Sequence, residues 1–279
     1  MAEGAKVNLT EGKVSTHVLR MWGPFSIAVI AMISTGIVDT IYLGRLTDAA
    51  RPNLGVMALA AVGFAFPLTF LGNSANIGLG AGTMSAISRA LGQGDTERSR
   101  RHGAAAILMG LTVMTGLVMA MLVALPYVLT LMGAEGEIKN MARDYALISF
   151  PGLVIISVAS MSNNILRAGG EAALPSSIMI LGAFINIVLD PFLIFGWGPF
   201  PRMEVQGAAL ATLTGNVIGA TFGFYIVFFH RKAISFAEMT WGSLRRAWGI
   251  IGRVGIPACL LYTSPSPRDL STSRMPSSA

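Results

Sequence analysis

Two acidic residues lie well inside apolar stretches of the sequence, where a charge is costly. Asp39 falls in the first such stretch and Asp190 in the fifth, and a charge inserted at the centre of a bilayer costs about 2.5–3.5 kcal/mol. Asn186 precedes Asp190 by four residues, so both side chains lie on one helix face. Two carboxylates and an amide oxygen in a low dielectric could hold a proton near neutral pH or ligate a sodium ion. The pattern indicates a cation site.

A structural role is the alternative for each aspartate. Asp39 could pair with the nearby Arg45, and Asp190 could bind backbone N–H groups freed at a helix break beside Pro191. Depth favours the cation site. Asp39 is 18 residues from the start of its predicted helix and Asp190 is 17 from the start of its own, which places both about 26 Å along at 1.5 Å per residue.

Composition assigns the helices around these residues to a membrane. Of the 279 residues, 53% are hydrophobic and only 12% are charged, whereas soluble domains carry about 25% charged residues. Mean hydropathy is +0.64. These values exclude a soluble enzyme, a disordered chain and a nucleic-acid-binding module, despite a net charge of +6. The basic run Arg98, Arg100 and Arg101 is therefore interpreted as a solvated loop.

The spacing of the apolar stretches predicts an all-α integral membrane protein. A membrane span needs about 20 apolar residues, and six stretches of this kind predict a six-helix transmembrane bundle over 21–229. A polar segment over 1–20 precedes the bundle. A linker over 230–248 and the start of a seventh helix over 249–261 follow. The Ser-, Pro- and Arg-rich tail over 262–279 is expected to be non-native and disordered, so that the protein is truncated. The predicted spans are 21–43, 56–80, 103–131, 142–166, 173–197 and 205–229.

The basic residues predict the orientation of the bundle. Thirteen lie at the N-terminus and in the second, fourth and sixth loops, whereas five lie in the first, third and fifth loops. The positive-inside rule then places the N-terminus in the cytoplasm, and we expect a multi-pass protein of the cytoplasmic (inner) membrane. The glycines of GLGAG (78–82) are typical of close helix packing in lipid.

Five sequence motifs resemble those of the multidrug and toxic compound extrusion (MATE) transporters, in the bacterial DinF-like and NorM-like branches. The resemblance covers about residues 15–258 and implies two six-helix bundles around a central cleft. This chain would be the N-terminal lobe and would lack the C-terminal lobe. The motifs, in family order, are GIVDTIYLGRL, AISRALGQGDTERSRR, ILRAGGEAALP, NIVLDPFLIFG and GAALATLTG.

The resemblance also implies roles for particular residues. The family's cation site maps onto Asp39, Asn186 and Asp190, with Thr212 from the sixth helix as a further member. Two positions match the N-lobe substrate cavity and one matches a first-helix proline at which the helix bends; they are Tyr145, Asn163 and Pro24.

The function that the resemblance implies is ion-coupled antiport. We expect H⁺ or Na⁺ to drive the export of organic cations, drugs and other xenobiotics, by a protein that is monomeric when intact. Its partners would be the lipid bilayer and small amphipathic or cationic substrates, with no nucleic acid, no cofactor and no metal apart from Na⁺ at Asp39, Asn186 and Asp190.

Two other functions remain open at this point. The first is a flippase for lipid-linked saccharides, which belongs to the same superfamily but favours a more basic cavity than these spans provide. The second is an intramembrane aspartyl protease. Such proteases share a G-x-G-D motif, and neither Asp39 nor Asp190 is the aspartate of such a motif. No P-loop motif is present, so the sequence predicts a transporter rather than an enzyme.

Overall fold

The computed structural model describes residues 14–237 and 239–263, and every regular element in these ranges is helical. This confirms the predicted all-α fold. The predicted segments over 1–20 and 262–279 lie largely outside the described residues. The helices are α1 (Val14–Gly44), α2 (Leu54–Gly92), α3 (Thr96–Leu131), α4 (Gly136–Ala168), α5 (Ala173–Phe195), α6 (Glu204–Tyr225), a π-helical turn (Ile226–His230) and α7 (Trp241–Thr263).

Six of the described helices, α1 to α6, are long and apolar enough to cross a membrane. Several helices reach beyond the apolar stretches that predicted them, and α2 and α7 do so by the most residues. Helix α2 continues to Gly92 because its last turns are polar on one side, which hydropathy alone does not detect. Helix α7 begins at Trp241, within the segment predicted as a linker, where the Thr240 hydroxyl accepts a hydrogen bond from the backbone N–H of Ser243 at 3.3 Å. Such capping favours a helix start.

Helices α2 and α4 form the centre of the bundle. Helix α2 packs against α3, α4 and α7, whereas α4 packs against α2, α3 and α6. Helix α5 lies between α1 and α6. Helices α1, α3, α5 and α7 all begin at one end, called here the basic end because most arginines lie there, and the other end is called the opposite end. This order places the fifth helix, with Asn186 and Asp190, against the first helix, with Asp39.

Glycines bring α2 and α7 into backbone contact. A Cβ on Gly78 would lie 2.6 Å from the carbonyl oxygen of Gly255 and 2.7 Å from the Cβ of Cys259. One turn further along, Gly82 faces the carbonyl of Ile251. Only glycine fits at such a distance, so the packing role predicted for GLGAG is the one these residues have against α7.

The contact between α2 and α7 predicts a cross-link. In the Gly78→Cys variant, oxidation should join the new thiol to Cys259, the single cysteine of the chain. The helices need to separate by about 1 Å to reach a Cβ–Cβ distance of about 3.5–4.5 Å. Loss of maleimide labelling after oxidation measures the bond. Gly63→Cys is the control, because nothing lies within 4 Å of that position; equal protection in both variants would contradict the packing.

Candidate cation-binding site

Helices α1 and α5 bring the two aspartates of the membrane spans together. Asp39 lies five residues before the end of α1 at Gly44, and Asp190 lies five residues before the end of α5 at Phe195. Their carboxyl groups are within hydrogen-bonding range of each other. The two side chains thus meet near the opposite end of the bundle, at one level.

Asp190 is buried and Asp39 is half-buried, and three of their four carboxyl oxygens have no hydrogen-bond donor among the described residues. Asp190 is 0% exposed, and neither of its carboxyl oxygens has a partner among the described residues; the same holds for Oδ1 of Asp39. An ionised carboxylate only accepts hydrogen bonds. A bond between the two groups therefore requires a proton on one of them, and two ionised carboxylates at this range require a cation between them.

Asn186 adds an amide oxygen on the same face of α5. Its side chain is 4% exposed, and its Nδ2 donates to the Thr212 hydroxyl at 3.2 Å. This bond to α6 leaves Oδ1 of Asn186 buried with no partner in the described part of the chain. With the carboxyl oxygens, the site offers four buried acceptor atoms that lack a donor.

Two glycines set the distance between α5 and α6 at this level. A Cβ on Gly215 would lie 2.7 Å from the carbonyl oxygen of Gly182 and 3.7 Å from the Cβ of Asn186. The two backbones are therefore in contact about one turn from the hydrogen bond between Asn186 and Thr212. Sequence reasoning did not identify Gly182; its signal is a glycine one turn before Asn186.

The other predicted residues occupy different places. Tyr145 on α4 packs against the apolar cluster that contains Leu43 and Ile194, each four residues after one aspartate of the pair. Asn163 is 8% exposed and lies 18 residues further along α4, about 27 Å away at 1.5 Å per residue. The structure therefore brings Tyr145, but not Asn163, to the pair.

Pro24 lies in the half of α1 nearer the basic end, and α1 is helical on both sides of it. It is 15 residues from Asp39, so it has no contact with the carboxyl pair. No group of three or more His, Cys, Asp or Glu side chains that could hold a metal ion is found in the ranges 14–237 and 239–263.

An ion cluster that sequence reasoning did not identify closes the opposite end. Arg51 contacts Glu137 at 2.9 Å, Asp48 at 3.2 Å and Glu204 at 2.5 Å. These residues come from the loop after α1, the first turn of α4 and the first turn of α6. The cluster thus ties the end of α1, close to Asp39, to two other helices.

Asp48 predicts a dependence of stability on pH. The backbone N–H of Ala50, at 2.8 Å, and then the Arg51 guanidinium hold the pKa of Asp48 below its usual value. A carboxyl whose folded pKa is lowered contributes stability above its unfolded pKa of about 3.9, and this is lost as the pH falls through the folded pKa. We expect Asp48→Asn to lower the thermal unfolding midpoint slightly at pH 7, and the difference from the unmodified chain to shrink as the pH falls through the folded pKa of Asp48.

Differential scanning fluorimetry at several pH values measures this effect. Glu135→Gln is the control, because Glu135 makes no side-chain capping bond at the start of α4. If the Asp48→Asn variant had a lower thermal unfolding midpoint by the same amount at every pH, the carboxyl group would stabilise the loop through its shape rather than its charge.

Six apolar helices that bury an acidic pair define a multi-pass membrane protein with a polar site inside its bundle. The MatE family model matches residues 24–192, which is more than half of the chain. The chain belongs to the MATE family, whose members are transporters and not enzymes.

Among the relatives, the FAD transporter of Shewanella oneidensis is 29% identical over 91% of this chain and 54% of its own length. The multidrug export protein MepA of Staphylococcus aureus strain MRSA252 is 30% identical over 85% of this chain and 50% of its own. The chain thus spans about half the length of the curated relatives it matches. Neither relative is named as a flippase, so the matches do not favour that alternative.

Solved structures have the same fold. An outward-facing multidrug resistance MATE transporter of the MOP superfamily superposes with a TM-score of 0.81 and 30% identity, covering 94% of this chain and 56% of that one. A MOP superfamily transporter from Pyrococcus furiosus, described as having a binding pocket of reverse polarity, gives a TM-score of 0.79 at 30% identity, with the same coverage.

Proposed function

We propose that this chain is the first lobe of a two-lobe antiporter that exports organic cations, drugs and other xenobiotics in exchange for H⁺ or Na⁺. The observation that carries the proposal is the buried contact between Asp39 and Asp190. Several relatives are named as multidrug resistance or export proteins, and the chain covers about half of each. The missing C-terminal lobe would complete the cleft.

The distribution of charge supports an orientation for this lobe. By sequence, thirteen of the 20 basic residues belong to the N-terminal segment and the second, fourth and sixth loops, and five to the first, third and fifth loops, so the basic end would be cytoplasmic in the cytoplasmic membrane. The carboxyl pair would then lie five residues from the external ends of α1 and α5. A coupling ion from outside would reach the pair through a short path.

The chemistry of the pair supports exchange. A proton shared by Asp39 and Asp190 satisfies both groups through one hydrogen bond, and a sodium ion satisfies them by ligation together with Asn186 Oδ1. Loss of the ion leaves two charges in contact, which favours any rearrangement that separates or hydrates them. An ion shifts a conformational equilibrium by its difference in affinity for the two states, and here that difference would arise between the paired and separated carboxyls.

Two further residues have proposed roles at different depths of the cavity. Tyr145 lies beside the pair and would contact a substrate that approaches it. Asn163, near the basic end of α4, would line the cytoplasmic part of the cavity, where its unpartnered Oδ1 can accept a hydrogen bond. Pro24 would permit α1 to bend when the occupancy of the pair changes, because proline removes one backbone hydrogen bond from a helix.

Dye transport by the reconstituted two-lobe protein tests the proposal. Proteoliposomes loaded with ethidium receive an imposed proton gradient, an imposed sodium gradient or neither. We expect efflux to accelerate with at least one gradient and to be slow without either. An efflux rate that depends on neither gradient, in protein that retains dye binding, would exclude ion-coupled antiport.

A further inference from the structure

A cavity of about 280 Å³ lies at the basic end, between the start of α3 and the start of α7. It is separate from the carboxyl pair, which lies near the opposite end of the bundle. Among the described residues, its lining carries three arginines, a histidine and a serine hydroxyl, and no carboxylate. The polar lining residues are Arg98, Arg101, His102, Ser243 and Arg246. The cavity therefore presents an excess of positive charge to its contents.

Among the described residues, the carboxylates close to the cavity pair with Arg101 but form no ion pair with the other two lining arginines. Glu97 contacts Arg100 and Arg101, each at 3.5 Å, and the Asp95 side chain accepts a hydrogen bond from the backbone N–H of Arg98 as the cap of α3. In the described part of the chain, the Arg98 side chain donates to Gln93 Oε1 at 3.5 Å.

Arg246 completes the charged lining from α7. Its Nε donates to the carbonyl of Gly242 at 3.2 Å. Neither Arg98 nor Arg246 forms an ion pair within residues 14–237 and 239–263. Two guanidinium groups on different helices thus border one cavity without a carboxylate partner.

His102 provides an independent observation. It lines the cavity, is 7% exposed, and its Nδ1 has no hydrogen-bond partner in the described part of the chain. Buried polar side-chain atoms are nearly always hydrogen-bonded. A molecule in the cavity could therefore supply the hydrogen-bond partner that Nδ1 of His102 does not find among the described residues.

We propose that this cavity binds a phosphate group that carries net negative charge. Phosphate oxygens accept the forked hydrogen bonds of guanidinium groups, and a donor or acceptor on the phosphate would satisfy His102. The phosphate can belong to an anionic lipid headgroup or be free in solution. The aromatic pair Trp241 and Trp248, with ring centroids 6.3 Å apart, is typical of the membrane interface, where basic pockets between helices bind anionic lipid headgroups.

This site would connect the lobe to the segment that follows it. Arg98 and Arg101 belong to α3, whereas Ser243 and Arg246 belong to α7. A phosphate that binds both helices would hold the start of α7 against the lobe. The inference does not depend on which ion the carboxyl pair takes or on which substrate is exported.

Tryptophan fluorescence gives a direct measure of occupancy. The indole N–H of Trp248 donates to the carbonyl of Ala105, a lining residue, at 2.9 Å. The chain contains four tryptophans, so a background with Trp22→Phe and Trp197→Phe retains only the two beside the cavity. The full chain in this background is delipidated in a nonionic detergent and titrated with dihexanoyl phosphatidylglycerol, dihexanoyl phosphatidylcholine or inorganic phosphate.

We expect a saturable change with phosphatidylglycerol and none with the zwitterionic phosphatidylcholine. The combined Arg98→Gln and Arg246→Gln changes should weaken binding at least about 10-fold, because charge-assisted hydrogen bonds are lost. Arg89→Gln is the matched control, since Arg89 is exposed at the same end and does not line the cavity. His102→Gln tests the site without removing a charge and should weaken binding less than the double change.

Inorganic phosphate separates the two sources. Saturation by phosphate at concentrations similar to those of the lipid would assign the site to a free anion, whereas a much weaker response would assign it to a headgroup. Circular dichroism confirms that each variant is folded. A lack of saturation with both anionic probes, or equal weakening by Arg89→Gln, overturns the proposal; if the double variant does not fold, unchanged binding in His102→Gln overturns it.

Discussion

Replacing Asp190 with asparagine is expected to slow ion-driven efflux by the two-lobe transporter about 100-fold, since a charge-assisted interaction contributes up to about 3 kcal/mol and each 1.4 kcal/mol is tenfold. Asp190 is 0% exposed and touches Asp39. An amide keeps the size of the carboxyl but neither takes up a proton nor balances a sodium ion. The variant should therefore remain as if permanently neutralised at this position, and the transport cycle should stop at the ion-loaded state.

Ethidium efflux from proteoliposomes under an imposed gradient measures the loss. Dye binding in the absence of a gradient should persist in Asp190→Asn but should no longer depend on pH or sodium. Asp144→Asn is the control, because Asp144 lies at the same end and bonds Gln206 at 3.0 Å rather than another carboxyl. An Asp190→Asn protein that transports at the unmodified rate would remove the carboxyl pair from the coupling mechanism.

Gly207→Val is expected to destabilise the lobe by about 3 kcal/mol. A Cβ at this position would lie 2.5 Å from both the carbonyl carbon and the carbonyl oxygen of Leu193 and 2.8 Å from the backbone nitrogen of Ile194. These atoms belong to the backbone of α5 and cannot move aside as a side chain does. Helix α6 would shift away from α5, and the hydrogen bond between Asn186 and Thr212 would be broken.

Thermal unfolding of the detergent-solubilised chain tests this expectation. The midpoint should fall by about 10 °C, given about 2–4 °C per kcal/mol for a chain of this size. Gly116→Val is the matched control: Gly116 is an exposed glycine in α3 with nothing within 4 Å of its Cβ position, so its midpoint should stay close to that of the unmodified chain. Similar losses in both variants would show that helix propensity, rather than the contact with α5, sets the cost.

The part of the candidate site that depends on local helix geometry was predictable from the sequence. The four-residue spacing of Asn186 and Asp190 implies a shared helix face, and the high cost of charge in lipid selects Asp39 as their counterpart. The same arithmetic separates Tyr145 from Asn163, because 18 residues of helix extend across most of a bilayer of about 30 Å. Such inferences need only the rise per residue and the polarity of the surroundings.

The contacts between helices could not be predicted in this way. That α1 packs on α5, and so joins Asp39 to Asp190, depends on which of several apolar helix faces fit together, and hydropathy is the same for all of them. The contact of Gly182 with Gly215 and the Arg51 ion cluster depend on the same choice. Helix ends outside the membrane, such as the last turns of α2 and the first turns of α7, are set by polar patterning and capping rather than by hydrophobic length.

The backbone contact between α2 and α7 bears on how the lobe could accommodate movement. Interlocked side chains must change rotamers before two helices can slide past each other, whereas Gly78, Gly82 and Gly255 present a nearly smooth strip of peptide groups. Shear between packed helices proceeds by small sliding displacements. Such a glycine-lined strip offers low resistance to sliding along its length. Because the two backbones are so close, it also offers strong resistance to separation of the helices. Helix α7 would therefore slide along α2 and remain packed against it.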